Sequence, residues 1–143
     1  MDVEKFKERN RLEKEVEKLD RDVDSIIVEG FSDRRVMRML GFEGKIFESA
    51  ERTHEDLAED VERGSDRVAI LTDFDSHGKE QNREIRQHLT GKVDVLSSAR
   101  KEFGKQLTSG GRMAVEDAAP LFEDKEEKFV DAALDRIFFT GSN

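Results

Sequence analysis

The chain has 143 residues, one domain's worth, of which 35% are hydrophobic and 41% charged, so one economical core must lie beneath a densely ionic surface. A net charge of −9 and the absence of cysteine exclude disulfides and thiolate metal sites and argue against generic nucleic-acid affinity, which rests on neutralising phosphates with Lys and Arg. There is no tyrosine, which excludes a phosphotyrosyl intermediate formed by this chain alone.

No window approaches the roughly 18 apolar residues of a membrane span, and the N-terminus lacks an apolar signal-peptide centre. A cytoplasmic protein without membrane contact is therefore expected. Any nucleic-acid contact would need a local basic patch, a divalent ion or high salt to quiet the repulsion.

In chain order, "MDVEKFKERNRLEKEVEKLDRDVD" predicts a charged N-terminal helix over residues 1–22, with Phe6, Leu12, Val16 and Leu19 as a thin apolar stripe. No sustained heptad repeat supports a coiled coil, so this helix is expected to pack on the domain edge. Residues 25–28 read as a short, fully apolar strand. Ser32 and Asp33 are good N-cap types for a helix through Val36, Met37 and Leu40, which Gly41 ends. Residues 45–49 suggest a second strand and 53–63 a helix, with Thr53 and Asp56 in a capping pattern and Gly64 as the stop.

"RVAILTDFD", residues 67–75, is the strongest strand signal, and "HGKEQNREIRQHL" the helix after it. "KVDVL", residues 92–96, predicts a fourth strand. From Ser97 onward the pattern is less regular, with the loop "TSGGRM" and the lone Pro120, before a helix over 126–138 within the tail 124–143. Phe47, Phe74, Phe103, Phe122, Phe129 and Phe138 read as core. Alternating strands and helices predict an α/β domain over residues 23–123: about four parallel strands flanked by helices, with the N-terminal helix before it and a helical tail after it.

Two strand ends carry carboxylates. Glu29 and Gly30 close the first strand, and "AILTDFDSHGKE" closes the third. Period-two geometry along this strand puts Asp73 and Asp75 on one side, with Phe74 turned the other way into the core. Unpaired carboxylates at a buried strand end are costly, so a cation is their natural partner. Hard oxygen ligands without cysteine or clustered histidine indicate Mg²⁺ or Mn²⁺. In a sheet ordered 2-1-3-4, strands one and three are neighbours whose crossovers leave on opposite faces, so Glu29, Asp73 and Asp75 would flank one crevice. Either motif alone is commonly a solvated turn; their order and position carry the reading.

"IIVEGFSDRRVM" followed by "VAILTDFDSHGKE" resembles the Toprim domain, the acidic, Rossmann-like module of topoisomerases, bacterial-type primases, OLD-family nucleases, RecR proteins and the ribonuclease M5 group. The match covers roughly residues 24–96, and "KVDVLSSARKEFGKQLTSGGRMAVEDAAPLF" is similar to the end of small stand-alone archaeal Toprim proteins. The resemblance implies that Glu29 acts as general acid or base and metal ligand, and that Asp73 and Asp75 coordinate Mg²⁺. Gly30 matches the turn glycine and Gly78 the glycine opening the next helix. Many relatives have Lys after the Glu-Gly, where this chain has Phe31. Asp33 matches a common acidic position, although helix capping explains it equally well.

A catalytic site of this kind would perform phosphodiester hydrolysis or nucleotidyl processing on RNA or DNA, with water as the remaining obvious nucleophile. Arg34, Arg35 and Lys79 stand at helix starts, where anions are favoured, and are the candidate phosphate-binding residues; ordinary salt bridges are the competing role for Arg34, Arg35 and Arg38. Arg83 and Arg86 read as a solvated face, as do Arg100, Lys101, Lys105 and Arg112, which together could instead line a groove on one side. His77 lies in the Asp-x-Asp turn, while His54 and His88 have no constellation around them. The alternative function is a non-catalytic module that scaffolds protein or nucleic-acid contacts, as in RecR-like relatives. An aspartyl-phosphate phosphatase fits poorly, since its Asp-x-Asp closes the first strand and precedes Gly-Thr.

Overall fold

The computed structural model describes residues 2–122; the expected tail helix, Phe129 and Phe138 lie outside them. Each strand is short because each apolar run is short. β1 (Ser25–Val28), β2 (Lys45–Glu48), β3 (Arg67–Ile70) and β4 (Asp94–Val95) form one parallel sheet in the order β2-β1-β3-β4. Ile26 pairs with Ile46 on one side and with Ala69 on the other, which fixes the register.

Side-chain alternation divides the core between two faces. Ile26, Val28, Ala69 and Leu71 pack on one face with α1 (Val3–Asp22), α2 (Phe31–Met39) and α5 (Ser97–Ser109). Ile27, Val68 and Ile70 pack on the other with α3 (His54–Gly64) and α4 (Ser76–Leu89). The protein is thus an α/β domain with a four-stranded parallel sheet flanked by helices. The chain leaves β1 towards α2 on one face and leaves β3 towards α4 on the other, so a crevice opens between the carboxyl ends of these neighbouring strands.

The charged first helix packs against the domain: Leu12, Val16 and Leu19 are buried, whereas Phe6 is exposed. Among the expected core phenylalanines, Phe103 is buried and Phe47, Phe74 and Phe122 are partly buried; Phe42, not singled out from the sequence, is buried too. Thr53 Oγ1 accepts the Asp56 amide at 3.0 Å and caps α3 as expected.

Three expectations need correction. α2 begins at Phe31 with Gly30 as its N-cap, so Ser32 and Asp33 lie inside its first turn rather than at the cap. β3 stops at Ile70 instead of running to residue 75; its last tie to β1 is the Leu71 amide on the Ile27 carbonyl at 2.7 Å. The stretch after Ser97 is regular: α5 occupies it, followed by a 3-10 segment at Val115–Phe122 that contains Pro120.

Candidate functional site

Because β3 ends early, Asp73 and Asp75 stand in the loop between β3 and α4, and strand alternation does not orient them. Backbone bonds hold that loop instead. The Phe74 amide donates to the Met113 carbonyl at 2.6 Å, and Thr72 Oγ1 donates to the Gly78 carbonyl at 2.9 Å. Arg100, only 9% exposed, donates Nη1 to the carbonyls of Ile70 (3.0 Å) and Thr72 (2.8 Å) and Nη2 to that of Asp73 (3.0 Å). Its guanidinium also lies 4.3 Å from the centre of the Phe74 ring. Gly78 is required by close approach: a Cβ there would overlap the Asp73 carbonyl.

In this setting the carboxyls of Glu29 and Asp73 meet. Burial first, then a hydrogen bond to Glu29 and the charges of Glu29, Asp33 and Asp75, push the Asp73 carboxyl up to about 7. Glu116, on the 3-10 segment, is also raised, by the charge of Asp33 above all, then by burial and the charges of Asp73 and Asp117. Six acids from three stretches of chain, 29–33, 73–75 and 116–117, thus crowd the carboxyl end of the sheet.

Asp24, at the opposite end of the sheet, is the contrast. Burial opposes its ionisation, but hydrogen bonds from Ser65 Oγ, the Asp66 and Arg67 amides and Ser25 outweigh it and hold the carboxyl below its ordinary value. Asp73 is met by carboxylates where Asp24 is met by donors.

Two neighbouring acids have structural work as well. Asp75 Oδ1 accepts the Gly78 amide at 2.8 Å and caps α4. Asp33 accepts the Gly30 amide at 3.1 Å and the Glu116 amide at 2.8 Å, joining the Glu-Gly turn to the 3-10 segment. Among the described residues no three carboxylates or imidazoles are gathered closely enough to enclose an ion unaided. Mg²⁺ does not require that, because it is commonly held by one or two carboxylates and keeps several waters. The hard-oxygen Glu29–Asp73 pair, with the Asp73 carboxyl raised by burial and by the charge of Glu29, fits such an ion.

A UPF0292 protein of Thermococcus sibiricus is 31% identical to this chain over 113 residues, spanning 78% of this chain and 88% of that one. The chain belongs to the UPF0292 family. No family model matches it. A solved structure of a protein from Aquifex aeolicus covers 76% of this UPF0292 chain and 95% of its own, with a TM-score of 0.61 and 21% identity, a likeness of fold alone.

The remaining candidate residues of this UPF0292 protein separate clearly. Arg34 is turned to β2, with Nε 2.5 Å from Glu48 Oε2 and Nη2 on the Ile46 carbonyl at 2.8 Å, an ion pair of structural kind. Arg35 and His77 are exposed. Arg38 donates to the Phe42 carbonyl, Arg83 pairs with Glu80 and Arg112 with Glu8. His54 and His88 come together, their rings 5.8 Å apart. Lys79 borders a cavity with Arg86, Arg100 and Lys101. The anchoring role of Arg100 was not legible in the sequence; its only trace is a cation at the i−3 position from Phe103 on an otherwise apolar helix face.

Proposed function

We propose that this protein is a Mg²⁺- or Mn²⁺-dependent, Toprim-type enzyme that hydrolyses or otherwise processes phosphodiesters in RNA or DNA. The observation that carries the reading is the approach of the Glu29 and Asp73 carboxyls, from the end of β1 and the loop after its neighbour β3, with Asp73 raised to about 7. Such a pair is unstable as two free carboxylates and is relieved by a divalent ion. Bound there, the ion would polarise a phosphodiester oxygen and offset charge on the attacking and leaving oxygens.

The protein's own groups supply the rest. The Asp73 carboxyl, raised to about 7, lies where a group that gives and takes protons near neutral pH works best. Arg100 fixes the Asp73 backbone, so the carboxyl is positioned before substrate arrives. Lys79, on the first turn of α4 just after the loop that carries Asp73 and Asp75, is the cation offered to a phosphate there.

The second reading, a non-catalytic scaffold for protein or nucleic-acid contacts, draws on Phe31, 64% exposed directly after the Glu-Gly turn, and on the structural commitments of Asp75 and Arg34. Purified protein incubated with Mn²⁺ or Mg²⁺ and labelled structured RNA and DNA separates the two. Cleavage that disappears in Asp73→Asn supports the enzyme. Uncut substrates together with a partner recovered from cell extract support the scaffold.

A further inference from the structure

A cavity of about 350 Å³ opens between α4 and α5, at the carboxyl ends of β3 and β4. Lys79, Arg86, Arg100 and Lys101 line it, and among the described residues no carboxylate does. That composition is unexpected in a chain with 34 acids and 25 bases. Most other arginines with a defined ionic contact are neutralised: Arg34 by Glu48, Arg52 and Arg63 by Asp60, Arg67 by Asp94, Arg112 by Glu8. None of the four cavity cations forms an ion pair within the described residues. Arg100 is the most buried of them, its guanidinium held by carbonyl dipoles and the Phe74 face with the Asp73 charge nearby. Cations gathered at one cavity without ion-pair partners favour an anion there.

The cavity is also half apolar. Ile70, Phe74, Val95 and Leu96 contribute to its wall, and Asn82 and Ser97 offer hydrogen bonds. A cationic side beside an apolar wall, in a volume at the small end of ligand sites, suits an anion that carries a flat ring. A bare phosphate would leave the apolar wall unused.

We propose that this cavity binds a nucleoside monophosphate unit, with the phosphate against Lys79, Arg86 and Lys101 and the base against the Phe74–Leu96 wall. The unit is either a free nucleotide or the terminal nucleotide of a strand. The inference rests on the phosphodiester reading for its ligand class, and it gives that site a pocket for one end of its substrate: the Arg100 that lines the cavity also holds the Asp73 backbone.

The test uses the full chain in EDTA at low salt, so that nucleotide binding is read without any metal at Glu29 and Asp73. Adenosine 5′-monophosphate, a 5′-phosphorylated deoxyadenylate trinucleotide and inorganic phosphate are titrated by calorimetry and by amide chemical shifts. Saturable binding of either nucleotide, with shifts centred on the cavity, is expected. Arg86→Glu and Lys101→Glu, both at exposed helix positions, should each weaken it about tenfold or more, while Lys7→Glu at an exposed position of α1 should not. Preference for the mononucleotide identifies a free ligand, and preference for the trinucleotide a strand end. Absence of binding, indifference to both charge reversals, or phosphate binding as tightly as the nucleotides overturns the proposal. Magnesium titration of the same protein is a separate measurement, so an inert acidic pair with an occupied cavity, or the converse, shows which reading failed.

Discussion

The Asp33 carboxylate accepts the backbone amide of Glu116 at 2.8 Å, binding the 3-10 segment to the turn that presents Glu29. Its other oxygen accepts the Gly30 amide at 3.1 Å, and the side chain is 4% exposed. Asp33→Ala leaves both amides without this acceptor, and a loss of about 2–4 kcal/mol is expected. Asp33→Asn keeps an acceptor oxygen and removes a charge that raises both Asp73 and Glu116, so it should cost clearly less. Urea denaturation of the two variants checks the order; equal losses would contradict it.

The raised Asp73 carboxyl makes metal-free stability depend on pH. The folded protein keeps a proton to about 7 that the unfolded chain releases near 3.8. Stability from this group is complete below the unfolded value and is lost as pH rises through the folded one. Glu116 acts in the same direction. Asp24, held low, acts oppositely but below its ordinary value of 3.8, outside this window. Melting in EDTA should therefore shift to lower temperature between about pH 4 and 8, and Asp73→Asn should flatten the trend. Added Mg²⁺ should restore stability most at the alkaline end, where no proton competes for the site.

Asp75 has two candidate roles, and one substitution separates them. Asn is as good an N-cap as Asp, so Asp75→Asn preserves the bond to the Gly78 amide while removing the charge. If Asp75 is a metal ligand or charge partner, Asp75→Asn weakens magnesium uptake with little change in stability. Asp75→Ala should in addition cost about 1 kcal/mol through the lost cap. Calorimetric titration beside thermal melts reads both quantities. Unchanged uptake in Asp75→Asn would leave Asp75 as a cap alone.

The sheet and its order were legible because β-branched apolar runs such as Ile26-Ile27-Val28 and Val68-Ala69-Ile70 are bounded by polar turns. The meeting of Glu29 with the third strand end followed from that order. The extent of β3 was not legible. "RVAILTDFD" reads as one strand, but β4 is only two residues long, and no strand continues beside residues 71–75 to extend the ladder. Arg100 takes up carbonyls there instead, and a sequence pattern cannot distinguish such an arginine from a solvated one. α5 was obscured by the loop and the proline that follow it, and Gly104 within it leaves space for the Phe74 ring.

That space can be tested. A Cβ on Gly104 would stand 2.5 Å from the Phe74 ring. Gly104→Ala should cost about 1–3 kcal/mol from overpacking, partly offset by up to about 1 kcal/mol of helix propensity. Gly78→Ala presses on the Asp73 carbonyl instead, which cannot swing aside as a ring can. It should be the more destabilising of the two and should displace Asp73, lowering magnesium affinity where Gly104→Ala leaves it nearly intact. Paired melts and metal titrations check both statements.

Arg100 links stability to the site most directly. Arg100→Met preserves much of the aliphatic bulk but leaves the carbonyls of Ile70, Thr72 and Asp73 without their guanidinium donors. Because each buried acceptor left unpaired costs about 1–3 kcal/mol, and structural relaxation or water recovers some of it, a net loss of about 2–5 kcal/mol is expected. Arg100→Lys retains the charge but not the planar fork that reaches several carbonyls at once, so it should recover only part of the loss. Amide exchange should quicken at Leu71 and Phe74, whose bonds to Ile27 and Met113 depend on the same loop, while α3, on the opposite face, should retain its local protection. Wild-type melting and exchange in Arg100→Met would mean that the loop bearing Asp73 is held by the sheet alone.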